Sequence, residues 1–131
     1  MGKPVPEPLR DLFDKPALAH LATLMPDGRP QVTPVWCDYD GRCVRINTSV
    51  GRQKDKNLMR DGRVALSISD PDNPDRYLEV RGRVTLRTLE GAEAHLDSLS
   101  RKYMGTDYPY RRPGDQAVTY CIEPEHFTFM D

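Results

Sequence analysis

The chain has 131 residues, enough for one domain with a single core. Its 19 Lys and Arg residues balance 20 Asp and Glu residues, so no overall charge attracts nucleic acid or an anionic membrane. The three cysteines, Cys37, Cys43 and Cys121, are odd in number and lack a Cys-x-x-Cys spacing, which argues against a disulfide framework and a zinc site. Because no signal-peptide pattern or membrane-spanning apolar run is visible, we expect a cytoplasmic protein with reduced thiols.

The first half of the chain predicts strands joined by tight turns. Pro26-Asp27-Gly28 and Asp40-Gly41 are typical turn sequences, and each separates two segments with strand character. The predicted elements, in chain order, are a helix at 7–14, strands at 19–25, 31–38 and 43–48, and a helix at 51–60.

The second half predicts further strands and one helix with a narrow apolar stripe. A strand at 64–69 has one buried face, and the clearest strand of the chain follows at 77–87. There Gly82 falls on the apolar side and permits a bend or a close approach of another backbone. The apolar side carries Leu78, Val80, Val84 and Leu86, and the polar side carries Tyr77, Glu79, Arg81, Arg83, Thr85 and Arg87.

Thr88 is expected to cap the last helix, which continues to Tyr103. A polar and aromatic loop at 105–114 leads to a final strand at 118–122, which Phe127 and Phe129 extend. Short strands in hairpin order with inserted helices predict a mainly β fold, an antiparallel β-barrel of about six strands in a single domain spanning residues 1–131.

The start of the helix at 51–60 has an unusual charge pattern. Arg52 and Lys54 occupy the first turn, where the partial positive charge of a helix N-terminus disfavours cations by about 0.3 to 1 kcal/mol each. An anion held there would reverse the effect, since the Thr48 and Ser49 hydroxyls and unpaired backbone N–H groups converge on the same place. The alternative is a solvated face on which Asp55 screens the cations.

Familiar catalytic signatures are absent from the sequence. No dinucleotide or P-loop glycine motif, no His-Glu-x-x-His and no Gly-x-Ser-x-Gly occurs, and His20, His95 and His126 have no partner at metal-ligand spacing. We therefore leave the catalytic residues unassigned and expect no metal. An enzyme of this kind can take its chemistry from an organic cofactor bound through a phosphate.

Four segments, taken in order, resemble the pyridoxamine 5'-phosphate oxidase-like split-barrel family. They are Pro30-Gln-Val-Thr-Pro-Val-Trp36, Ile46-Asn-Thr-Ser-Val-Gly-Arg-Gln-Lys54, Asn57-Leu58 and Tyr77-Leu-Glu-Val-Arg-Gly-Arg-Val84. The closing segments Tyr108-Pro-Tyr-Arg-Arg-Pro-Gly114 and Ile122-Glu-Pro-Glu125 are similar to the actinobacterial branch that uses the deazaflavin coenzyme F420. The resemblance implies a six-stranded split β-barrel, a homodimer, and two cofactors in grooves between the subunits.

The resemblance also implies which residues contact the cofactor. The phosphate would lie on the third strand and the following helix, and the tricyclic ring would lie along the second strand. Tyr77 and the loop with Tyr108 and Arg111 would approach from the partner subunit. Trp36 is equally compatible with a core position, and Arg111 with a solvated loop. The full implied set is Thr33, Pro34, Val35, Trp36, Asn47, Thr48, Ser49, Gly51, Arg52, Lys54, Asn57, Tyr77, Tyr108 and Arg111.

The sequence departs from oxidases that act on pyridoxamine phosphate. Arg52-Gln53-Lys54 stands where they carry Ser-Arg-Lys, Gln31 replaces an arginine, and their longer vitamin-binding C-terminal segment has no counterpart. These differences argue against vitamin B6 oxidation and weaken FMN as the cofactor. The expectation is an F420-dependent oxidoreductase that transfers hydride to an electron-poor small molecule. The alternatives are an FMN-dependent oxidoreductase of the same fold and a non-catalytic cofactor- or tetrapyrrole-binding protein.

Overall fold

A computed structural model describes residues 2–131 and contains one antiparallel sheet of seven strands. A 3-10 helix at Glu7–Phe13 precedes the sheet, and two α-helices are inserted between strands. The elements are β1 (Ala19–Leu24), β2 (Pro30–Val35), β3 (Cys37–Tyr39), β4 (Val44–Ser49), α1 (Gln53–Arg60), β5 (Arg63–Asp70), β6 (Asn73–Thr88), α2 (Ala92–Met104) and β7 (Ala117–Met130).

The sheet closes on itself at Trp36. Its strand order is β2-β1-β5-β6-β7-β4-β3, so β2 and β3 form the two edges. Val35 ends β2 and Cys37 begins β3, and a two-residue step spans at most about 7 Å. The two edges must therefore meet at Trp36, and the sheet curls into the expected split barrel.

The expected second strand at 31–38 is two strands in the structure, which explains why the sheet has seven strands instead of six. Up to Val35 the chain pairs with β1, whereas from Cys37 it pairs with β4. The sequence shows one uninterrupted strand-like segment because a change of partner leaves no mark on the alternation of side chains.

The barrel core consists of the inward-facing residues of the long strands. Val64, Leu66 and Ile68 of β5 are buried, as the predicted alternation requires. Leu78 and Val80 of β6 face the same interior. The other fully buried large side chains include Leu9, Leu12, Leu21, Ile46, Leu99, Tyr120 and Ile122.

Gly82 provides the close backbone approach that its position predicted. A Cβ atom at Gly82 would overlap the carbonyl oxygen of Glu123 on β7. Gly82 lies opposite Pro124, where the register between β6 and β7 shifts. The shift accommodates a proline inside a strand, since proline has no N–H to donate to the ladder.

A second register shift on β6 changes which side chains face inward. Val84 lies opposite Ile122 and Leu86 lies opposite Cys121, so β6 carries one extra residue between the two pairs. Because each extra residue exchanges the two faces of a strand, Leu86 is 52% exposed and Arg87 turns toward α1. The expectation that Leu86 belongs to the core and Arg87 to the polar side was therefore wrong.

The last helix begins later than expected. Gly91, with a φ of 73°, is the residue before α2, and the Thr88 hydroxyl instead accepts a hydrogen bond from the Glu90 N–H. Thr88 therefore stabilises the turn before the helix and does not cap it. A membrane-crossing helix needs at least 18 mostly apolar residues, and no helix within residues 2–131 meets that requirement.

Candidate functional site

A groove of about 380 Å³ lies where the end of β2, β4, the start of α1 and the face of α2 meet. The loop at 105–116 covers one side of the groove. The polar end of the groove lies at the junction between β4 and α1. The apolar end of the groove lies against the aromatic residues of the loop. The residues that line it are Leu18, Pro34, Val35, Trp36, Asn47, Thr48, Ser49, Arg52, Lys54, Glu93, Leu96, Leu99, Tyr108, Tyr110, Arg111, Arg112, Asp115 and Ala117.

Two cations at the polar end of the groove have no anionic partner. Neither Arg52 nor Lys54 forms a salt bridge with any carboxylate of residues 2–131. Burial and the nearby Arg52 guanidinium lower the pKa of Lys54. An anion bound between these side chains would offset both effects, so the site fits a phosphate group.

Asp55 does not screen these cations. Its carboxylate points away from the groove and accepts hydrogen bonds from Arg87 Nε at 3.0 Å, Tyr120 Oη at 2.5 Å and the Gly51 N–H at 2.9 Å. Burial raises the pKa of Asp55, but the hydrogen bonds from Arg87 and Tyr120 outweigh burial and hold the pKa below its usual value. Arg52 is exposed, but the screening by Asp55 that the solvated-face alternative assumes is absent.

The backbone contributes less to the polar end than the sequence predicted. The Gly51 N–H is bonded to Asp55, and the Arg52 N–H donates to the Ser49 carbonyl at 3.2 Å. These two N–H groups are consequently unavailable to a ligand. An anion held at this end would therefore contact mainly side chains. Those that line the groove here are Thr48, Ser49, Arg52 and Lys54.

The apolar end of the groove is a cluster of aromatic rings around Trp36. Trp36 stacks on Tyr103 with ring centroids 5.3 Å apart and an interplanar angle of 12°. Tyr108 meets Trp36 edge-on at 6.0 Å, and Tyr110 meets Tyr108 edge-on at 5.7 Å. Trp36 thus belongs both to the packing of α2 on the barrel and to the groove wall. Flat aromatic walls of this kind suit a planar ligand ring.

Two carboxylates of α2 hold the loop over the groove. Glu93 accepts hydrogen bonds from Arg111 Nε at 2.9 Å and from the Ala117 N–H at 2.8 Å. Asp97, one turn later, accepts from Arg111 Nη1 at 3.0 Å and from the Tyr108 N–H at 2.9 Å. Arg111 is therefore ion-paired within its own chain and is not a free solvated cation.

The resemblance implies that this loop approaches from a partner subunit, which stays a prediction. Tyr108 and Arg111 line the groove of their own chain through the bonds to Glu93 and Asp97. Within one chain, these two bonds already place both side chains at the groove. The sequence does not reveal these contacts, because the partners are far apart in the chain. Asp97 lies 11 positions before Tyr108, and Glu93 lies 18 positions before Arg111.

Most residues of the implied cofactor set come together in this one groove, and four lie outside it. Asn57 is buried, donates to the Thr23 hydroxyl at 3.0 Å, and thereby joins α1 to β1. Gly51, at a φ of 90°, forms the turn before α1. Thr33 lies opposite Leu21 on the β1–β2 ladder, and Tyr77 lies between Ser69 and Met130 in the sheet. Those that line the groove are Pro34, Val35, Trp36, Asn47, Thr48, Ser49, Arg52, Lys54, Tyr108 and Arg111.

Sequence reasoning missed the contribution of α2 and its buried polar residues. His95 is buried beneath the groove and contacts Asp38 on β3 and Thr119 on β7. These residues are 57 and 24 positions away from His95, so no local spacing relates them. Within residues 2–131 no three His, Cys, Asp or Glu side chains lie close enough to hold a metal ion.

The chain matches known proteins over almost its whole length. A family model described as pyridoxamine 5'-phosphate oxidase matches residues 5–131. No curated protein matches the chain. Among solved structures, an F420 reductase has 37% sequence identity and a TM-score of 0.83, covering 95% of this chain and 98% of its own.

Two further structures support the same fold. A conserved hypothetical protein from Mycobacterium tuberculosis has 25% identity and a TM-score of 0.77, covering 97% of this chain and 85% of its own. HupZ from Group A Streptococcus has 19% identity and a TM-score of 0.69, covering 96% of this chain and 94% of its own, and shows likeness of fold alone. With its split barrel and its family match from residue 5 to residue 131, the chain belongs to the pyridoxamine 5'-phosphate oxidase family.

Proposed function

We propose that the protein is an oxidoreductase that uses coenzyme F420 to transfer hydride to or from an electron-poor small molecule. The observation that carries the proposal is the pair of unpartnered cations, Arg52 and Lys54, at one end of a groove whose other end is aromatic. Such a groove suits a ligand with a phosphate and a planar ring. The 37% identity to an F420 reductase favours the deazaflavin over other ligands of that description.

The residues of the groove have distinct roles in this proposal. Arg52 and Lys54 bind the cofactor phosphate, assisted by the hydroxyls of Thr48 and Ser49. Trp36 and Pro34 present a flat wall that orients the ring, and orientation of the reacting atoms supplies much of the rate. A bound deazaflavin supplies the two-electron hydride chemistry for which the protein itself has no group.

In this proposal, the loop at 105–116 covers the aromatic end of the groove. Tyr108 and Tyr110 lie beside the aromatic end and reduce access of water to it. Because Tyr108 lines the groove, its hydroxyl is also the candidate for returning a proton to the substrate. Arg111 holds the loop in place through Glu93 and Asp97.

FMN is the second candidate, because it too joins a phosphate to a flat ring and the family is described as a pyridoxamine 5'-phosphate oxidase. The two are separated by parallel titration of the protein with F420 and FMN, read through quenching of Trp36, the only tryptophan. Tighter binding of F420 supports the proposal. Preference for FMN would overturn the choice of cofactor, and binding without hydride transfer to any acceptor would favour a carrier protein.

The phosphate assignment has its own matched test. Replacing Arg52 and Lys54 together with alanine should remove two charge-assisted contacts, each of about 1.5 to 3 kcal/mol. Lys56→Ala is the control, since Lys56 lies on the same helix but does not line the groove. Equal affinity of the double variant and the control would refute the assignment.

We also propose a homodimer with the groove near the subunit interface. Leu18 and Tyr110 line the groove yet are 46% and 62% exposed, and large apolar side chains at such a rim favour burial by a second copy. Sedimentation equilibrium tests this directly. A monomer at micromolar concentration would contradict the proposal.

A further inference from the structure

Five polar side chains form a continuous chain of hydrogen bonds beside the groove, and its two central members, His95 and Thr119, are buried. On β3 and β4, Asp38 lies opposite Arg45 and accepts two bonds from its guanidinium, both at 2.8 Å. Two residues further along β4, on the same face, Asn47 lies opposite Thr119 of β7. His95 of α2 covers this face and connects the two pairs, with Nε2 3.1 Å from Asp38 and Nδ1 2.9 Å from the Thr119 hydroxyl.

The direction of these hydrogen bonds follows from Asp38, the one member whose ionised side chain can only accept hydrogen bonds. Burial raises the pKa of Asp38, but the bonds from His95 and Arg45 outweigh burial, so the pKa lies below its usual value and the carboxylate is ionised. His95 Nε2 must then carry the hydrogen that it donates to Asp38. In the neutral imidazole, Nδ1 is an acceptor and takes the hydroxyl hydrogen of Thr119.

This direction and the Ala92 carbonyl together determine how the Asn47 amide is turned. With its hydrogen given to His95, the Thr119 oxygen can accept from Asn47 Nδ2, which lies 3.4 Å away. The same Nδ2 donates to the Ala92 carbonyl at 2.9 Å. Both amide hydrogens of Asn47 are therefore directed into the protein. Asn47 lines the groove, and its Oδ1 has no hydrogen-bond partner within residues 2–131.

We propose that His95 is a positioning residue which, with Asp38 and Thr119, fixes the Asn47 amide so that the groove presents an acceptor oxygen at this point. The ligand must then offer an N–H or O–H donor here, which deepens the proposed function by specifying a polar contact between the phosphate end and the aromatic end. A ligand that offers only an acceptor is disfavoured, because it leaves Oδ1 unpaired.

The first test reads the hydrogen-bond direction without any ligand. Long-range ¹H–¹⁵N NMR distinguishes the two imidazole nitrogens, and His95→Gln identifies the signals of His95 among the three histidines. The wild-type protein at pH 8 should show hydrogen on Nε2 alone. Asp38→Asn, which can donate to Nε2, should move the hydrogen to Nδ1. Hydrogen on Nδ1 in the wild-type protein would overturn the proposal, whether or not the protein binds a cofactor.

The second test measures coupling between Thr119 and Asn47 in the binding of F420 and of FMN. Thr119→Val keeps the shape of the side chain but removes the hydroxyl, and should weaken binding about 2- to 10-fold. Thr119→Ser keeps the hydroxyl and should restore affinity to within about twofold. In an Asn47→Leu background, Thr119→Val should have no further effect, because the acceptor that it positions is gone.

The outcomes separate the two proposals. Equal weakening by Thr119→Val in the presence and absence of Asn47 would assign Thr119 a general structural role and overturn the positioning role. His126→Gln, an exposed histidine on β7, is the control and should leave affinity unchanged. If the wild-type protein binds neither F420 nor FMN, the proposed function fails, while the NMR measurement still decides the direction of the hydrogen-bond chain.

Discussion

Asp55 and Arg87 form a salt bridge at 3.0 Å between the first turn of α1 and the C-terminal end of β6. Asp55 is 1% exposed and is the only acidic residue of α1. By pairing inward, it anchors α1 to the barrel and leaves Arg52 and Lys54 unneutralised. One ion pair thus joins α1 to β6 and leaves the two cations of the proposed anion site free.

Replacing Asp55 with Asn should destabilise the protein by about 3 kcal/mol, because Arg87 keeps its charge but loses its carboxylate partner at a largely buried site. Urea unfolding measures the change. Lys56→Ala, at an exposed position of the same helix, should change the free energy of unfolding by no more than about 0.5 kcal/mol. A similarly small effect of Asp55→Asn would show that the pair contributes little.

Replacing Lys54 with Met should stabilise the ligand-free protein and weaken phosphate binding at the same time. Burial and Arg52 lower the pKa of Lys54 in the folded state, so its charged form is disfavoured there. This penalty is fully present below the lowered pKa and disappears as the pH rises toward 10.5, the value for an unperturbed lysine.

The difference in melting temperature between the Lys54→Met variant and the wild type should therefore be largest near pH 7 and shrink at alkaline pH. Addition of FMN or F420 should reverse the order at pH 7, since only the wild type keeps the full anion site. Destabilisation of the ligand-free variant would show that the charge of Lys54 is already compensated.

Gly82→Ala should destabilise the protein by about 1 to 3 kcal/mol, because the added Cβ overlaps the Glu123 carbonyl oxygen and forces the two backbones apart. Gly62→Ala is a matched control. Its Cβ would meet Val84 at 3.6 Å, an ordinary contact, and should be neutral or stabilising by up to about 1 kcal/mol. Thermal unfolding of both variants tests the prediction, which equal effects would contradict.

Asp70 should contribute to stability at neutral pH and lose that contribution in acid. Its carboxylate accepts hydrogen bonds from the Asp72 N–H, Lys15 and Arg76, each at 2.9 Å, and these contacts lower its pKa to about 2. Because the folded-state pKa lies below the unfolded value of 3.8, the stabilisation is complete above about pH 4 and is lost as the pH falls toward 2.

An Asp70→Asn variant should accordingly be less stable than the wild type at pH 7, and the two should converge by about pH 2. Denaturant unfolding at a series of pH values measures the gap. A gap of constant size across this range would mean that Asp70 acts through shape and not through charge.

Much of the fold was predictable because it rests on local alternation. The strands at 64–69 and 77–84 direct inward the residues that their pattern assigns to the core, with Val84 partly buried. The curled antiparallel sheet confirms the expected split barrel. The register shift after Val84 was not predictable. A bulge depends on how two strands fit together, and the sequence of β6 alternates regularly through it.

The candidate site also has a part that was predictable from the sequence and a part that was not. Thr48, Ser49, Arg52 and Lys54 lie within seven positions, so the local charge pattern already marked a possible anion site. The residues of α2 that complete the groove begin with Glu93, 39 positions after Lys54. Only the packing of α2 across β4 brings Glu93 and His95 close to the end of β4, where Thr48 and Ser49 lie.

By itself, the sequence determined most of the elements, the core faces of most strands and the unusual basic first turn of α1, since each depends on residues close together in the chain. The tertiary structure decided that Asp55 turns inward to Arg87, that the loop at 105–116 lies on its own groove, and that His95 connects Asp38 to Thr119. These relationships arise from contacts between distant segments, where burial and hydrogen bonding select one direction for each polar side chain.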